Sequence, residues 1–146
     1  MKIGELANRT DCAVETIRYY EREGLLPEPR RSAGNYRQYS EVHLERLVFI
    51  RNCRVLDMTL QEIRQLLTLR EQPEATCGGV NGLIDEHITH VGQRITALTQ
   101  LQQQLIELRR RCQAPHPVDA CGIIQQLGTS GSVQAPEEDS HVGHSH

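Results

Sequence analysis

Five cysteines carry most of the reactive chemistry of this 146-residue chain: Cys12, Cys53, Cys77, Cys112 and Cys121. Their number is odd and a reducing compartment is expected, which disfavours a disulfide framework and favours metal binding or redox sensing for thiols that cluster. Cys112 and Cys121 flank a proline-containing loop that can fold back, so that both thiolates can reach one ion. Cys12 and Cys53 lie within predicted structure and are expected to be small buried residues.

Cys77 lies at the other end of a predicted long helix, 80–111. From Val80 to Cys112 the apolar positions recur with a mean step of about 3.6 residues, the period of an α-helix. Such a helix would be about 47 Å long. Its narrow apolar seam cannot be buried by one helix alone, which predicts pairing with a second copy of the chain.

An antiparallel pair of these helices would bring the thiols together. Cys77 of one protomer would then lie beside Cys112 and Cys121 of the other, giving two three-thiolate sites per homodimer. Three soft ligands suit Cd(II), Pb(II) and Hg(II), and Zn(II) if a fourth ligand is added. His116, in the loop, is a candidate for that fourth ligand; an exposed, flexible side chain is the alternative.

Histidines suggest a second, harder metal site. His87 and His90 are three residues apart and share a helix face. The C-terminal His141, His144 and His146, or a nearby carboxylate, are candidates to complete the site. Solvated helix histidines are the alternative interpretation of the first two.

The N-terminal half predicts a winged helix-turn-helix. Two short helices, 3–9 and 14–23, are joined by a tight turn, and a small β-ribbon follows after Gly24, with Gly34-Asn35 at its turn. In such a module the second helix enters the major groove and the wing reaches phosphates or the minor groove. The candidate DNA-binding residues are Thr16, Arg18 and Tyr19 on the helix, and Arg31, Tyr36, Arg37 and Tyr39 on the wing.

Charge is distributed unevenly along the chain. Residues 1–70 contain 12 basic and 10 acidic side chains, and 11 of the basic ones are arginine, whereas the whole chain carries a net charge of −3. Arginine presents a rigid fork of donors that suits phosphates and guanine edges. The pattern favours a nucleic-acid partner at the N-terminal end.

The remaining segments complete a mainly α fold. A third helix is expected at 41–55, with Ser40 as an N-cap that lacks the full capping box, and a fourth at 60–70, capped by Thr59 and Glu62. The predicted organisation is a DNA-binding domain at 1–70, a linker carrying Cys77 at 71–79, a dimerisation helix forming an antiparallel coiled coil at 80–111, a short metal-binding loop and helix at 112–127, and a disordered histidine-containing tail at 128–146.

Composition argues against several other classes of protein. Aromatic residues make up 3% and hydrophobic residues 38%, which is too little for a large enzyme core. No apolar run approaches the roughly 18 residues of a membrane span, and no secretory signal is present, so a soluble cytoplasmic protein is expected. No Cys-x-x-Cys, phosphate loop or nucleophile elbow suggests an enzyme.

Five stretches together resemble the MerR family of metal-responsive transcription regulators. They are IGELA, TIRYYEREGLL, R-S-A-GNYRQY, HLERLVFIRNCR and DMTLQEIRQLL. Cys77, the long helix, Cys112 and the eight-residue spacer to Cys121 resemble the cadmium- and lead-responsive subgroup, of the CadR and PbrR type. Cd(II) and Pb(II) are therefore the expected effectors, with Zn(II) and Hg(II) as alternatives.

The resemblance implies a mechanism. Family members bind a palindromic operator within a promoter in which the spacer between the elements that RNA polymerase reads is overlong. Metal binding makes the dimer bend and untwist this DNA, which realigns those elements. Activation of metal-resistance or efflux genes would follow. A thiol redox sensor on the same scaffold, a metal buffer and a thiol-dependent enzyme are the competing hypotheses.

Overall fold

The computed structural model describes residues 1–135, which form two compact units, Met1–Leu83 and the segment from Ile84 onward. The fold is mainly α, as predicted. The elements are α1 (Ile3–Thr10), α2 (Val14–Arg22), β1 (Arg30–Arg31), β2 (Arg37–Gln38), α3 (Glu41–Val55), α4 (Leu60–Arg70), α5 (Cys77–Arg109), a 3-10 turn (Val118–Ala120) and α6 (Gly122–Leu127).

A tight turn joins α1 and α2 into the predicted helix-turn-helix. Asp11 adopts the left-handed conformation with φ of 54°, and the Cys12 amide donates to the Ala7 carbonyl at 3.1 Å, which ends α1. Helix α2 buries Ile17 and Tyr20. After α2, Gly24 has φ of 76°, a conformation that glycine adopts without steric cost.

The wing is a two-stranded antiparallel ribbon in which Arg30 lies opposite Gln38. A hydrogen bond from the Ser32 amide to the Tyr36 carbonyl closes the connection at 2.7 Å. Asn35 carries the positive φ, 64°, that this turn needs. The sequence predicted that Gly34-Asn35 supplies the positive φ of this turn; in the structure Asn35 alone does so.

Helix α3 has a complete capping box, contrary to the sequence-based expectation. The Ser40 amide donates to Nδ1 of His43 at 3.1 Å, so an imidazole nitrogen takes the place of the usual carboxylate or amide oxygen. The other ring nitrogen, Nε2, lies 3.0 Å from the Pro27 carbonyl. His43 therefore fixes the start of α3 to the extended segment after α2.

The first unit is held by an aliphatic core to which all four short helices and the segments between them contribute. Its most deeply buried side chains are Leu6, Ile17, Leu25, Leu47, Ile50, Met58 and Ile63. Thr59 and Glu62 form the capping box expected for α4: the Thr59 amide donates to Glu62 Oε1 at 2.9 Å, and the Glu62 amide donates to Thr59 Oγ1 at 3.1 Å. This core holds α1 and α2, the two helices of the helix-turn-helix, in place.

Helix α5 begins at Cys77, three residues before its predicted start, and ends at Arg109 rather than residue 111. Gly78 and Gly79, which fall within the predicted linker 71–79, belong to its first turn. The Gly78 amide donates to the Thr76 hydroxyl at 3.3 Å, and at Gly79 an added Cβ would lie 3.2 Å from a Leu69 side-chain carbon. Close approach of α4 explains a glycine there, and Cys77 is a helical residue rather than part of a linker.

The apolar seam of α5 stays largely uncovered in the single chain. Exposed members are Val80, Ile84, Ile88, Val91, Ile95, Leu98, Leu105 and Ile106. A contiguous exposed apolar stripe of this kind marks an interaction surface. None of the helices in residues 1–135 combines the length and the apolar character needed to span a membrane.

Candidate nucleic-acid interface and metal centre

Helix α2 presents the side chains predicted to read DNA. Arg18 is exposed and, within residues 1–135, no side chain or carbonyl engages its guanidinium. Thr16 and Tyr19 are half-buried on the same helix, and the Arg22 guanidinium lies 5.9 Å from the centre of the Tyr19 ring. This arrangement leaves Arg18 available to a base edge or a phosphate.

Two of the four predicted wing residues are also open to solvent. Arg31 is exposed, and its guanidinium donates to the Asn35 carbonyl at 3.2 Å. Tyr36 is 67% exposed, and Nζ of Lys2 lies 5.7 Å from its ring centre. The tip of the wing therefore combines cationic and aromatic groups that can contact a DNA backbone.

The other two wing residues, Arg37 and Tyr39, are engaged by a residue that the sequence analysis missed. Tyr39 is buried, and its hydroxyl donates to Oε1 of Glu21 at 2.5 Å. Arg37 donates to the other oxygen, Oε2, at 3.1 Å. Alternation along a strand places positions 37 and 39 on one face, the signal that could have suggested a shared partner.

Cys112 and Cys121 are close enough for each thiol to affect the pKa of the other, and the Cys112 thiol donates to the Ala114 carbonyl oxygen at 3.4 Å. Cys121 is the N-cap of α6. The backbone N–H groups of Ile124 and Ile123, in the first turn of α6, lower the pKa of the Cys121 thiol. The neighbouring Cys121 thiol raises the pKa of the Cys112 thiol. The pair thus consists of one thiol biased towards the thiolate beside one that retains its proton more strongly.

Gly122 is a second residue that sequence reasoning missed. A Cβ added at this position would lie 2.5 Å from the backbone carbonyl oxygen of Arg111, closer than real Cβ atoms approach. The first residue of α6 therefore runs directly against the residue before Cys112. This close approach is what places Cys121 beside Cys112.

Cys77 is exposed at the first position of α5. The helix has 33 residues, which corresponds to a length of about 50 Å, and Cys112 follows its end. Of the other two cysteines, Cys53 is buried, as predicted, whereas Cys12 is only half-buried, and burial raises the pKa of both thiols.

Limited alkylation should distinguish these thiols. With substoichiometric iodoacetamide near pH 7, we expect Cys121 to be modified well before Cys53, because the thiolate is the nucleophile and Cys53 is both buried and biased towards the thiol. Peptide mass spectrometry of a labelling time course measures the order. Labelling of Cys53 at the rate of Cys121 would contradict the assignment.

The predicted histidine site is described only in part. His87 and His90 lie one turn apart on α5, as expected. His141, His144 and His146 lie outside the described residues. His116 is exposed in the loop between α5 and the 3-10 turn.

Two family models match this arrangement of elements. One, described as MerR HTH family regulatory protein, matches residues 1–69, and the second, described as MerR, DNA binding, matches residues 44–108. The chain belongs to the MerR family. The family resemblance carried by the sequence motifs is thereby confirmed.

Similar proteins in the MerR family extend over most of the chain. It is 51% identical over 111 residues to a ZntR homolog of Haemophilus influenzae, an HTH-type transcriptional regulator, covering 76% of this chain and 82% of the relative. The structure of the transcription regulator PbrR691 from Ralstonia metallidurans CH34 in complex with lead(II) is 56% identical, with a TM-score of 0.75, covering 87% of this chain and 98% of that one.

A third relative is more distant. The structure of the dual function transcriptional regulator MerR from Bacillus megaterium MB1 in complex with mercury(II) is 32% identical, with a TM-score of 0.67, and covers 88% of this chain and all of that one. The relatives are transcriptional regulators, which confirms that this MerR-family chain is not an enzyme.

Proposed function

We propose that this MerR-family chain is a homodimeric, metal-responsive transcriptional regulator that binds promoter DNA. A soft divalent ion would be held by Cys77 of one protomer together with Cys112 and Cys121 of the other. The observation that carries the proposal is the proximity of the Cys112 and Cys121 thiols, just beyond the end of a helix that starts at Cys77.

The donor set fits a soft ion. The sulfur of Cys121 is already biased towards the thiolate by two backbone N–H groups, and Cys112 lies beside it. Thiolates select soft ions, and metal binding requires that the thiols lose their protons. The similarity to the PbrR691 structure with lead(II) supports Cd(II) or Pb(II) as the effector. Zn(II) and Hg(II) are the alternatives.

The exposed seam of α5 supports the dimer. In an antiparallel pair, Leu105 near the end of one helix would meet Ile84 near the start of the other, so that each apolar stripe covers its copy. The same pairing brings the start of one α5 to the end of the other. One arrangement thus buries the seam and completes two three-thiolate sites.

Contacts within the first unit link the segment before Cys77 to the DNA-binding helix. Arg46 on α3 donates through Nε to the Leu25 carbonyl, just after α2, at 2.5 Å. Its guanidinium also donates to Glu71, at the end of α4, at 2.6 Å. A displacement at the start of α5 can therefore reach α2 through Arg46, and we propose that metal binding distorts the promoter DNA through such shifts.

Variants that affect DNA binding and metal binding separately test the proposed function. We expect Arg18→Ala to weaken binding to a duplex selected by the protein from a random library, by about 1–3 kcal/mol, because it removes an exposed DNA-facing guanidinium. The metal affinity of the free dimer should not change. Fluorescence anisotropy measures DNA binding, and ultraviolet thiolate-to-metal absorption on Cd(II) titration measures the metal.

Cys112→Ser is the matched variant at the proposed metal site. It should abolish the Cd(II) absorption band and the metal response of transcription in vitro, and leave DNA affinity within about twofold of the parent. Loss of DNA binding in folded Cys112→Ser protein would contradict the division of labour. If the parent protein shows no absorption band with Cd(II) or Pb(II), yet loses DNA binding on treatment with peroxide, the redox-sensor hypothesis replaces this one.

A further inference from the structure

The carboxylate of Glu21 joins the DNA-facing helix to the wing. Glu21 lies in the last turn of α2, and its side chain is only 10% exposed. One oxygen accepts the Tyr39 hydroxyl and the other accepts the Arg37 guanidinium, at 2.5 and 3.1 Å. Hydrogen bonds to an ionised carboxylate are stronger than neutral ones, and little water reaches this group to weaken them.

Tyr39 is itself fixed on its other side. Its amide donates to the Met1 carbonyl at 2.7 Å, and its ring packs edge-on against His43, with ring centres 5.2 Å apart. Burial, and after it the bond to Glu21, raise the pKa of Tyr39, so the hydroxyl remains a donor at neutral pH. Glu21 therefore links α2 to a tyrosine whose ring packs against His43 of α3.

Arg37 retains free N–H donors while it is hydrogen-bonded to Glu21. The bond to Glu21 uses one of the five N–H donors of a guanidinium, and the Arg37 side chain is still 40% exposed. A guanidinium with one fixed edge and one open edge is oriented in advance for a phosphate oxygen. Phosphate contacts of this kind set the register of a protein on a duplex.

We propose that Glu21 is a positioning residue for DNA binding, which holds the wing at a fixed spacing from α2 and orients Arg37 towards a DNA phosphate. The inference rests on the proposed DNA-binding function. Helix α2 and the wing would contact different parts of one duplex, so the distance between them decides whether both can bind at once. Tyr39 accordingly acts through Glu21 rather than by touching DNA.

The proposal predicts a change in DNA affinity that is opposite to the change expected from charge alone. Removing an acidic side chain next to DNA should, from charge alone, strengthen binding. We expect Glu21→Ala instead to weaken binding to the selected duplex at least tenfold. The slope of log affinity against log salt concentration should become shallower by about one unit, because the Arg37 phosphate contact is lost.

A double-mutant cycle separates positioning from general stability. Arg37→Ala should weaken binding in the parent protein and cause almost no further loss in the Glu21→Ala background. Tyr39→Phe, which keeps the buried ring and removes only the hydroxyl, should weaken binding severalfold with an unchanged salt slope. This mild variant keeps the test valid if Glu21→Ala unfolds, which thermal denaturation will show.

Glu41→Ala is the matched control, because Glu41 also pairs with an arginine of the first unit, Arg9, at 3.1 Å, but is exposed. It should bind DNA as the parent does. Unchanged or tighter binding by Glu21→Ala, or additive effects of Glu21→Ala and Arg37→Ala, would overturn the inference. Absence of salt-dependent duplex binding by the parent protein would instead overturn the proposed function.

Discussion

Mixing Cys77→Ser protomers with Cys112→Ser protomers should restore Cd(II) binding that neither variant shows alone. In the mixed dimer, Cys77 of the Cys112→Ser protomer meets the intact Cys112 and Cys121 of the other, so one complete site forms. With random exchange, about half of the dimers are mixed and each has one site, so about a quarter of the parent absorbance should return. Ultraviolet absorption after subunit exchange measures the recovery.

A mixture of Cys112→Ser with Cys121→Ser is the control for this experiment. Both variants lack a thiol on the same side of the interface, so no mixed dimer can contain a complete site and no absorbance should return. If the Cys77→Ser and Cys112→Ser mixture also shows no Cd(II) absorbance, while mass spectrometry shows that mixed dimers form, the three thiols do not bind one ion across the interface. The dimeric site would then have to be abandoned.

Local sequence signals predicted the helices well where a cap and an apolar face agree. The bounds of α3 and α4, Glu41–Val55 and Leu60–Arg70, are confirmed. Both helices have side chains that satisfy the first free N–H groups and leucines that face one core. The start of α5 was wrong because Gly78 and Gly79 have low helix propensity, whereas contact with Leu69 makes a small residue favourable there.

The site was predicted less completely because its geometry depends on contacts between distant positions. Residue types and spacing predicted that Cys112 and Cys121 lie near each other, because their loop is short, and that Arg18 is exposed on a helix. Glu21 reaches Arg37 and Tyr39 across 16 and 18 residues, and nothing in the local pattern around Glu21 indicates that pairing. His43 was missed for a different reason: it lies three residues after Ser40, at the capping-box position, but it is not the Glu or Gln usually found there.

Gly122 offers a test of the metal site that leaves every thiol in place. In Gly122→Ala the new methyl group would overlap the Arg111 carbonyl oxygen, and a backbone atom cannot move aside as a flexible side chain can. Helix α6 must therefore shift, and Cys121 at its N-cap shifts with it, away from Cys112. We expect the Cd(II) affinity to fall by about 10–100-fold, the range typical for residues that orient metal ligands.

Gly128→Ala is the control for that substitution because it lies at the other end of α6. There an added Cβ would meet its nearest atoms, the Ile124 and Gln125 carbonyl oxygens, at ordinary contact distances of 3.5 and 3.6 Å. It should leave Cd(II) affinity within about twofold of the parent. Equal affinities for Gly122→Ala and Gly128→Ala would mean that the spacing of Cys112 and Cys121 in the free chain does not control binding, and that the metal itself imposes that spacing.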